Sequence, residues 1–184
     1  ANTGNLAGAM TATAGSIGTV TTGAGDLSGA IVTGTSIGAI QIEGAITGGG
    51  ITAGTSIASI TVVNSDDLDG LGDSNDQRAD GIAGAAILAG TNIGNITVTG
   101  DIESTITTTD GDIGDIVVNS DINAAIAAND ADAPGGTINV GNIGNVTASI
   151  GATGSLTADG SIGNVLANTG NLAGAMTATA GSIG

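Results

Sequence analysis

The sequence predicts an all-β fold, a parallel β-solenoid (β-helix) with turns of about 20 residues. Three observations predict it: a short motif recurs at near-constant spacing, its apolar positions follow β alternation, and the composition suits only a thin core. Internal repeats of this length are typical of solenoids, because each repeat is one structural unit that buries its apolar side against its neighbours. We therefore expect a single continuous β-solenoid over residues 1–184.

The recurring motif is a tripeptide with Ser, Asn or Asp first, Ile second and Gly third, except that Ala58 takes the third place once. The motif isoleucines are Ile17, Ile37, Ile57, Ile93, Ile113, Ile143, Ile162 and Ile183. Further apolar residues follow three and five positions later, as Ile40 and Ile42 follow Ile37. The two-residue step between them places both side chains on one face of a strand. Equivalent residues are thus predicted to stack in ladders along one axis.

Each turn also carries a second, looser apolar stretch. Its members are the pairs Leu27 and Ile31, Ile46 and Ile51, Ile102 and Ile106, Ile122 and Ile126, and Leu172 and Met176. The glycine of the motif marks a corner, where the chain needs either a positive φ or a close approach of two backbones. Each turn therefore has two apolar regions, and periodicity allows two sheets or three and either hand of the coil.

A longer repeat contains these turns. Residues 1–18 and 167–184 are the same eighteen letters, ANTGNLAGAMTATAGSIG, at an offset of 166 residues. The motif spacings of 20, 20, 36, 20, 30, 19 and 21 residues fill this offset, so that seven turns form one unit. At roughly 4.8 Å per turn, a unit advances about 34 Å. We expect one 166-residue unit followed by the first eighteen residues of the next.

Two turns are longer than the others, and their surplus lies in two segments. Residues 64–81, NSDDLDGLGDSNDQRADG, form an acidic insertion, and residues 129–136, NDADAPGG, form a short insertion with the single proline. Insertions leave a solenoid as loops on its side, where function often lies. These loops are therefore the first place to look for a binding site.

The charge of the chain excludes several classes of partner. The formal net charge is −16, with 17 acidic residues against Arg78 as the single base. No basic patch exists to neutralise phosphates, so nucleic acid is not an expected partner. No apolar run is long enough to span a bilayer, so membrane insertion is not expected either. Cations are the natural partners of such a chain.

Enzymatic activity is not expected from this composition. The chain has no His, Cys, Lys or aromatic residue. Ser and Thr therefore lack a His or Lys to activate them, and zinc lacks its usual ligands. Two carboxylates could in principle cleave a glycoside, but sugar subsites normally offer aromatic platforms, and here there are none.

The acidic insertion predicts a calcium site. Its candidate ligands are Asp66, Asp67, Asp69, Asp73 and Asp76. Closely spaced oxygen ligands with Gly at the sharp turn are what Ca²⁺ requires. At residues 66–76 the insertion resembles the Asp-rich calcium loops of thrombospondin type 3 and dockerin-like repeats, although the terminal Glu of a full EF-hand loop is missing. The resemblance implies bound Ca²⁺.

Other acids are predicted to stack from turn to turn. Asp101 and Asp121 each lie nine residues into their turns, Asp110 and Asp130 share another position, and Asp132 is close to the latter. Like charges about 5 Å apart cost on the order of 1 kcal/mol even in water, unless a cation lies between them. Bound Ca²⁺ is one interpretation, and a solvated acidic face that keeps a Gly-rich rod soluble is the other.

An outward row of threonines suggests a different function, ice binding, which flat Thr arrays on solenoids perform. The predicted outward residues of the second apolar region are Val32, Thr52, Leu88, Thr107, Ala127, Thr157 and Thr177. A Thr-X-Thr pair is completed only at Thr107 and Thr177, so the array is irregular. Ice binding is therefore the less favoured alternative.

The style of the repeat, over the whole chain, resembles the large repetitive β-solenoid surface proteins of bacteria, such as adhesin stalks and extracellular fibres. This resemblance implies a structural protein outside the cell or on its surface, and an adhesin stalk with a separate recognition tip is the alternative. Solenoids normally carry polar caps, yet Ile183 lies in the core column of the last turn. We therefore expect units to join copies of themselves head to tail, in a covalent tandem array or a homopolymer.

Overall fold

The computed structural model describes residues 4–63, 81–129, 141–149, 151–152 and 154–184. These residues form fifteen short β-strands and no helix, and thus no helix that could cross a membrane. In chain order the strands are β1 Met10–Ala12, β2 Val20–Thr22, β3 Ile31–Thr33, β4 Ile37–Ile42, β5 Ile51–Ala53, β6 Ile57–Val62, β7 Ile87–Ala89, β8 Ile96–Val98, β9 Ile106–Thr108, β10 Ile116–Val118, β11 Ile126–Ala128, β12 Val146–Ala148, β13 Leu156–Ala158, β14 Val165–Ala167 and β15 Met176–Ala178. Neighbouring strands pair in parallel throughout, which confirms the predicted β-solenoid.

The coil has two sheets, which periodicity alone left open. The odd-numbered strands form an eight-stranded sheet, here called the odd sheet, and the even-numbered strands form the seven-stranded even sheet. Each turn therefore contributes one strand to each sheet. In the three-residue strands the first and third residues face the core and the middle residue faces outward, as the two-residue step predicted.

Two ladders of single-residue bridges close the coil between the sheets. The motif isoleucines, from Ile17 to Ile183, form the ladder called here the motif edge. The other ladder, called the second edge, consists of Leu6, Leu27, Ile46, Ile82, Ile102, Ile122, Ala152 and Leu172. Along one turn the chain passes from an even strand to the second edge, then to an odd strand, and then to the motif edge.

The core is a stack of aliphatic side chains in which like residues lie on like residues. Ile40, Ile60 and Ile96 follow one another in the even sheet with 0% of their surface exposed. Such stacking fills a thin core without an aromatic ring, because neighbouring turns supply the packing partners of every side chain. The predicted pairs of the second apolar region occupy the second edge and the odd sheet, as expected.

Close approach, rather than a positive φ, explains the motif glycine. A Cβ at Gly94 would lie 1.9 Å from the carbonyl oxygen of Ala58 in the preceding turn. At Gly18, in the first turn, a Cβ would meet nothing within 4 Å. Positive φ values among the described glycines occur at other places, Gly49, Gly50 and Gly84. The Ala58 exception lies in β6, where the strand runs unbroken through the motif edge and the side chain is exposed.

The two predicted insertions lie outside the described residues, apart from Gly81 and Asn129 at their boundaries. Their flanking residues nevertheless locate them on the coil. Along the chain, the acidic insertion comes between β6 and Ile82 of the second edge, and the short insertion comes between β11 and Ile143 of the motif edge. The acidic insertion and the short insertion therefore belong to opposite edges.

Candidate functional site

Asp101 and Asp121 lie in adjacent turns on the second edge, as the sequence predicted. The isoleucines that follow them, Ile102 and Ile122, are bridged, and the backbone N–H of Asp121 donates to Asp101 Oδ1 at 2.9 Å. Asp101 is 2% exposed and Asp121 is 9% exposed. A hydrogen bond that a backbone N–H donates to a carboxylate is strong. The backbone of the next turn therefore stabilises the side chain of Asp101.

This pair lies beside the place where the acidic insertion rejoins the coil. The backbone N–H of Ile82 donates to the carbonyl oxygen of Asp101 at 2.9 Å, so Asp101 is in the turn that covers Gly81. Gly81 is the last residue of the acidic insertion as predicted from the sequence. The two buried carboxylates are therefore on the same edge as Gly81, the last residue of that insertion.

Asp110 lies on the other side of the coil, between β9 and the motif edge. Its backbone N–H donates to the carbonyl oxygen of Gly90 at 3.0 Å, and the N–H of the next residue, Gly111, donates to Asn129 at 3.0 Å. Asp110 Oδ1 is buried and has no hydrogen-bond partner among the described residues. The structure thus brings Asp101 and Asp121 together and separates Asp110 from them, next to the boundary of the short insertion.

The other candidate ligands lie outside the described residues: Asp66, Asp67, Asp69, Asp73, Asp76, Asp130 and Asp132. Within the described ranges no three or more His, Cys, Asp or Glu side chains converge on one point. Ca²⁺ takes about six to eight oxygen ligands, which the pair Asp101 and Asp121 cannot supply alone. A calcium site therefore stays a prediction that rests on the sequence of the acidic insertion.

Two polar ladders flank the motif isoleucines, and the sequence analysis did not assign them. The first consists of Asn92, Asp112, Asn142 and Ser161, and the second of Asn95, Asp115, Asn145 and Asn164. In both, the side-chain oxygen of one turn accepts a hydrogen bond from the backbone N–H at the same position in the next turn, at 2.8 to 3.1 Å. These bonds tie neighbouring turns together beyond the ends of the sheets.

The residue types of the ladders follow from this geometry. Ser, Asn and Asp carry an oxygen on a side chain short enough to reach the backbone of the next turn. Asp115 Oδ1 accepts from both the backbone N and Nδ2 of Asn145, at 2.8 and 3.2 Å. In the first turns, hydrogen bonds between pairs of hydroxyls link neighbouring turns instead, as between Ser16 Oγ and Thr35 Oγ1 at 2.8 Å. The signals in the sequence were the constant Ser, Asn or Asp at the first motif position, for the first ladder, and the Asn or Asp two residues after the motif isoleucines of the later turns, for the second.

The outward threonines do lie on one face, the outer face of the odd sheet. Thr52, Thr107 and Thr157 are middle residues of odd strands. The same row contains Val32 and Leu88, each 39% exposed, so apolar side chains interrupt it. The face therefore lacks the regular spacing of hydroxyls that would match a lattice.

The eighteen-residue repeat occupies the same columns in the first and the last turn. Its apolar residues take the second edge, the odd sheet and the motif edge, in that order, as Leu6, Met10 and Ile17 and again as Leu172, Met176 and Ile183. The first copy is paired with the turn that follows it, and the second copy with the turn that precedes it. We call each copy a shared rung. The first copy shows the contacts that this eighteen-residue segment makes with a following turn, and the second copy shows the contacts that it makes with a preceding turn.

The core opens to solvent at the last turn. Leu172 and Ile183 are 42% and 44% exposed, although their equivalents one or more turns inside are fully buried. In the first turn the backbone N–H groups of the shared rung point toward the following turn, where that of Met10 donates to Ala30 O at 2.8 Å. The equivalent N–H of Met176 points to the side on which the described structure has no further turn.

Similarity to known proteins does not assign a function. No protein-family model, curated protein or solved structure shows significant similarity to this chain. A function is therefore inferred from the repeated turns, the polar ladders and the two shared rungs.

Proposed function

We propose that the chain is a segment of a long extracellular rod or filament, in which 166-residue units stack on one axis as one continuous β-solenoid. The β-solenoid fold is consistent with a structural repeat protein. One observation supports the extension into a rod more than any other: the shared rung lies in the same three columns in the first and the last turn. A coil that returns to its starting register can be continued by the same seven turns without a new type of contact.

The hydrogen bonds of the first shared rung support the same conclusion. Leu6, Met10 and Ile17 donate their backbone N–H groups to carbonyl oxygens of the following turn, at 2.7, 2.8 and 3.0 Å. Identical residues stand at 172, 176 and 183, so identical donors are available to a following unit. Each junction between units would then repeat contacts that the structure already contains.

The sheets also favour end-to-end association of units along the axis of the coil. A closed coil presents unpaired strand edges only at its first and last turns, and unpaired edges drive association between chains. The sides of the rod carry a net charge of −16, so neighbouring rods repel one another. Single rods are thus favoured over lateral bundles.

Calcium stabilisation is part of the proposal. It is supported by the sequence of residues 66–76 and by the buried pair Asp101 and Asp121 beside the end of the same insertion. When bound, Ca²⁺ supplies positive charge among carboxylates that otherwise repel one another. This chain's own residues hold the coil together through the aliphatic columns and the polar ladders, and the ion adds to them.

The same rod would serve as the stalk of a surface adhesin if a recognition domain were attached to it. That role uses the same stacking and differs only in what the rod carries. Ice binding is less well supported, because Val32, Leu88 and Ala127 interrupt the threonine row on the odd sheet.

Chains with one, two and three tandem units test the proposal by small-angle X-ray scattering and negative-stain electron microscopy. We expect straight rods of constant width that lengthen by about 34 Å for each added unit. The matched control has a flexible Gly-Ser linker between units, which separates the shared rung from the next turn. Flexible joints between units both with and without the linker would contradict the proposal.

A further inference from the structure

We propose that the shared rung is exchangeable between molecules: residues 1–18 of a second copy replace residues 167–184 on the turn of residues 152–165. We call that turn the acceptor turn. The inference rests on the proposed stacking of units and adds to it the segment that joins two separate chains.

Residues 167–184 show what the acceptor turn binds. Strand β15 lies on β13 in parallel register, with Met176 on Leu156 and Thr177 on Thr157. The acceptor turn donates backbone N–H groups to the rung, from Leu156 to Ala175 O at 2.9 Å and from Ile162 to Ser182 O at 2.9 Å. Each of these rung residues recurs, unchanged, among residues 1–18. The acceptor turn therefore fits the first eighteen residues of another copy as well as its own last eighteen.

Only one shared rung fits at a junction between two copies. If both stayed in place, β1 of the second copy would lie on β15, and the even sheet would lack one strand at that level. The gap in the even sheet would be about 9.6 Å instead of roughly 4.8 Å, and the core would be open there. One of the two rungs must therefore leave when two copies join without a break.

Each rung is held on one side only, and the rung of residues 167–184 is the one that leaves because Leu172 and Ile183 are exposed whereas their equivalents Leu6 and Ile17 are partly buried. Leu172 and Ile183 are 42% and 44% exposed, and Met176 is only partly buried. The rung of residues 1–18 is already paired with the next turn of its own chain, through Leu6, Met10 and Ile17. Once placed on an acceptor turn, it is covered on both sides, and the contact formed there is the same as the one that residues 167–184 give up, so the exchange leaves the total buried apolar surface nearly unchanged.

The distribution of charge does not oppose this contact. The shared rung contains no charged residue, and of the 17 acids only Asp159 lies between residues 133 and 184. Fourteen of the acids lie between Asp66 and Asp132, in the middle of the rod. Two molecules with a net charge of −16 can therefore meet at neutral ends, where repulsion is weakest.

Substitution of Met176 in the full chain tests the exchange. Met176→Asp places a carboxylate on the inward side of β15 and loosens the rung of residues 167–184, while residues 1–18 stay intact. We expect concentration-dependent head-to-tail oligomers in analytical ultracentrifugation. The unsubstituted chain should stay monomeric at micromolar concentration, because its own rung competes at an effective concentration in the millimolar range.

Two matched variants show whether the association is specific. Thr177→Asp adds the same charge at the neighbouring, exposed position of β15 and should leave the chain monomeric. Met10→Asp combined with Met176→Asp disables both rungs, and this double variant should return to the monomer. Leu172→Ser is a milder way to loosen the last rung and should behave like Met176→Asp.

A fluorescent peptide of residues 1–18 measures the same contact directly. It should bind the Met176→Asp chain at least about tenfold more tightly than the unsubstituted chain, in which the acceptor turn is occupied. Monomeric Met176→Asp and Leu172→Ser chains that do not bind the peptide would overturn the exchange, as would equal oligomerisation of the double variant. Straight tandem rods together with such a result would leave the proposed rod in place and remove only the exchange.

Discussion

Replacing Ile113 by Ala tests the aliphatic ladder in the interior of the rod. Ile113 is 1% exposed and is bridged to Ile93 in one neighbouring turn and to Ile143 in the other. The change removes about three aliphatic carbons, and at about 0.8 kcal/mol for each the lost transfer free energy is roughly 2.4 kcal/mol. A cavity between the two neighbours adds to this, so we expect a total loss of about 3 to 4 kcal/mol.

Ile183→Ala is the matched control, in the same column but in the last turn. Ile183 keeps 44% of its surface exposed. The lost transfer free energy therefore falls to about 1.3 kcal/mol, and no closed cavity forms because only one side is covered. The last turn of a solenoid can also open while the other turns stay folded. We therefore expect the substitution to lower the free energy for opening the last turn rather than that for unfolding the whole chain.

Urea unfolding followed by far-UV circular dichroism compares the two variants, because the chain has no aromatic residue for fluorescence. Native-state hydrogen exchange adds the local opening free energies of individual turns, which matter where a repeat protein does not unfold in one step. A loss below about 1 kcal/mol at Ile113, or equal losses at both positions, would refute the stacking of the motif isoleucines.

Three further comparisons test the remaining contacts. Gly94→Ala should destabilise the chain, because its Cβ would lie 1.9 Å from a carbonyl oxygen, whereas Gly18→Ala, with nothing within 4 Å, should be neutral or stabilising by up to about 1 kcal/mol. Asp115→Ala should cost about 1 kcal/mol by removing an acceptor from the polar ladder, and Asp115→Asn, which keeps that acceptor, should cost less. Saturating Ca²⁺ should raise the melting temperature of the chain but not that of an Asp69→Ala Asp73→Ala variant.

Each of these predictions has an outcome that would contradict it. Equal melting temperatures of the two glycine variants would show that the turns are not in close contact at the motif edge. A loss at Asp115→Asn as large as at Asp115→Ala would show that the acceptor oxygen is unimportant. Identical melting of the unsubstituted chain with and without Ca²⁺ would remove the metal from the proposed function and leave the rod unaffected.

Much of the coil could be predicted from the sequence, because Ile alone fills the motif column and mostly aliphatic residues fill the other core columns. The motif isoleucines all lie on one edge, and the two-residue alternation gives the inward and outward sides of the strands. The prediction of the second apolar region was incomplete. It omitted Ile82, which follows an insertion that disrupts the spacing, and Ala152, which is too small to stand out as a core residue. The number of sheets depends on how the corners bend, which periodicity does not specify.

The candidate site was predicted less completely. The stacking of Asp101 and Asp121 followed from turn position, but the hydrogen bond between them depends on backbone geometry that no spacing reveals. The polar ladders were missed because neither the Ser, Asn or Asp at the first motif position nor the Asn or Asp two residues after the motif isoleucine was given a structural role. These residues share an oxygen on a short side chain. That oxygen matters because the backbone N–H of the next turn lies within hydrogen-bond distance, which the sequence does not show.

The distance between equivalent positions in consecutive units tests most directly whether the coil continues from one unit to the next. The chain has no Cys, so Thr107→Cys in each unit of a two-unit chain provides two defined sites for spin labels on the outer face of the odd sheet. Double electron–electron resonance should give one narrow distance distribution near 34 Å, seven steps of roughly 4.8 Å. A broad distribution, or one centred well away from that value, would contradict continuous stacking of the turns.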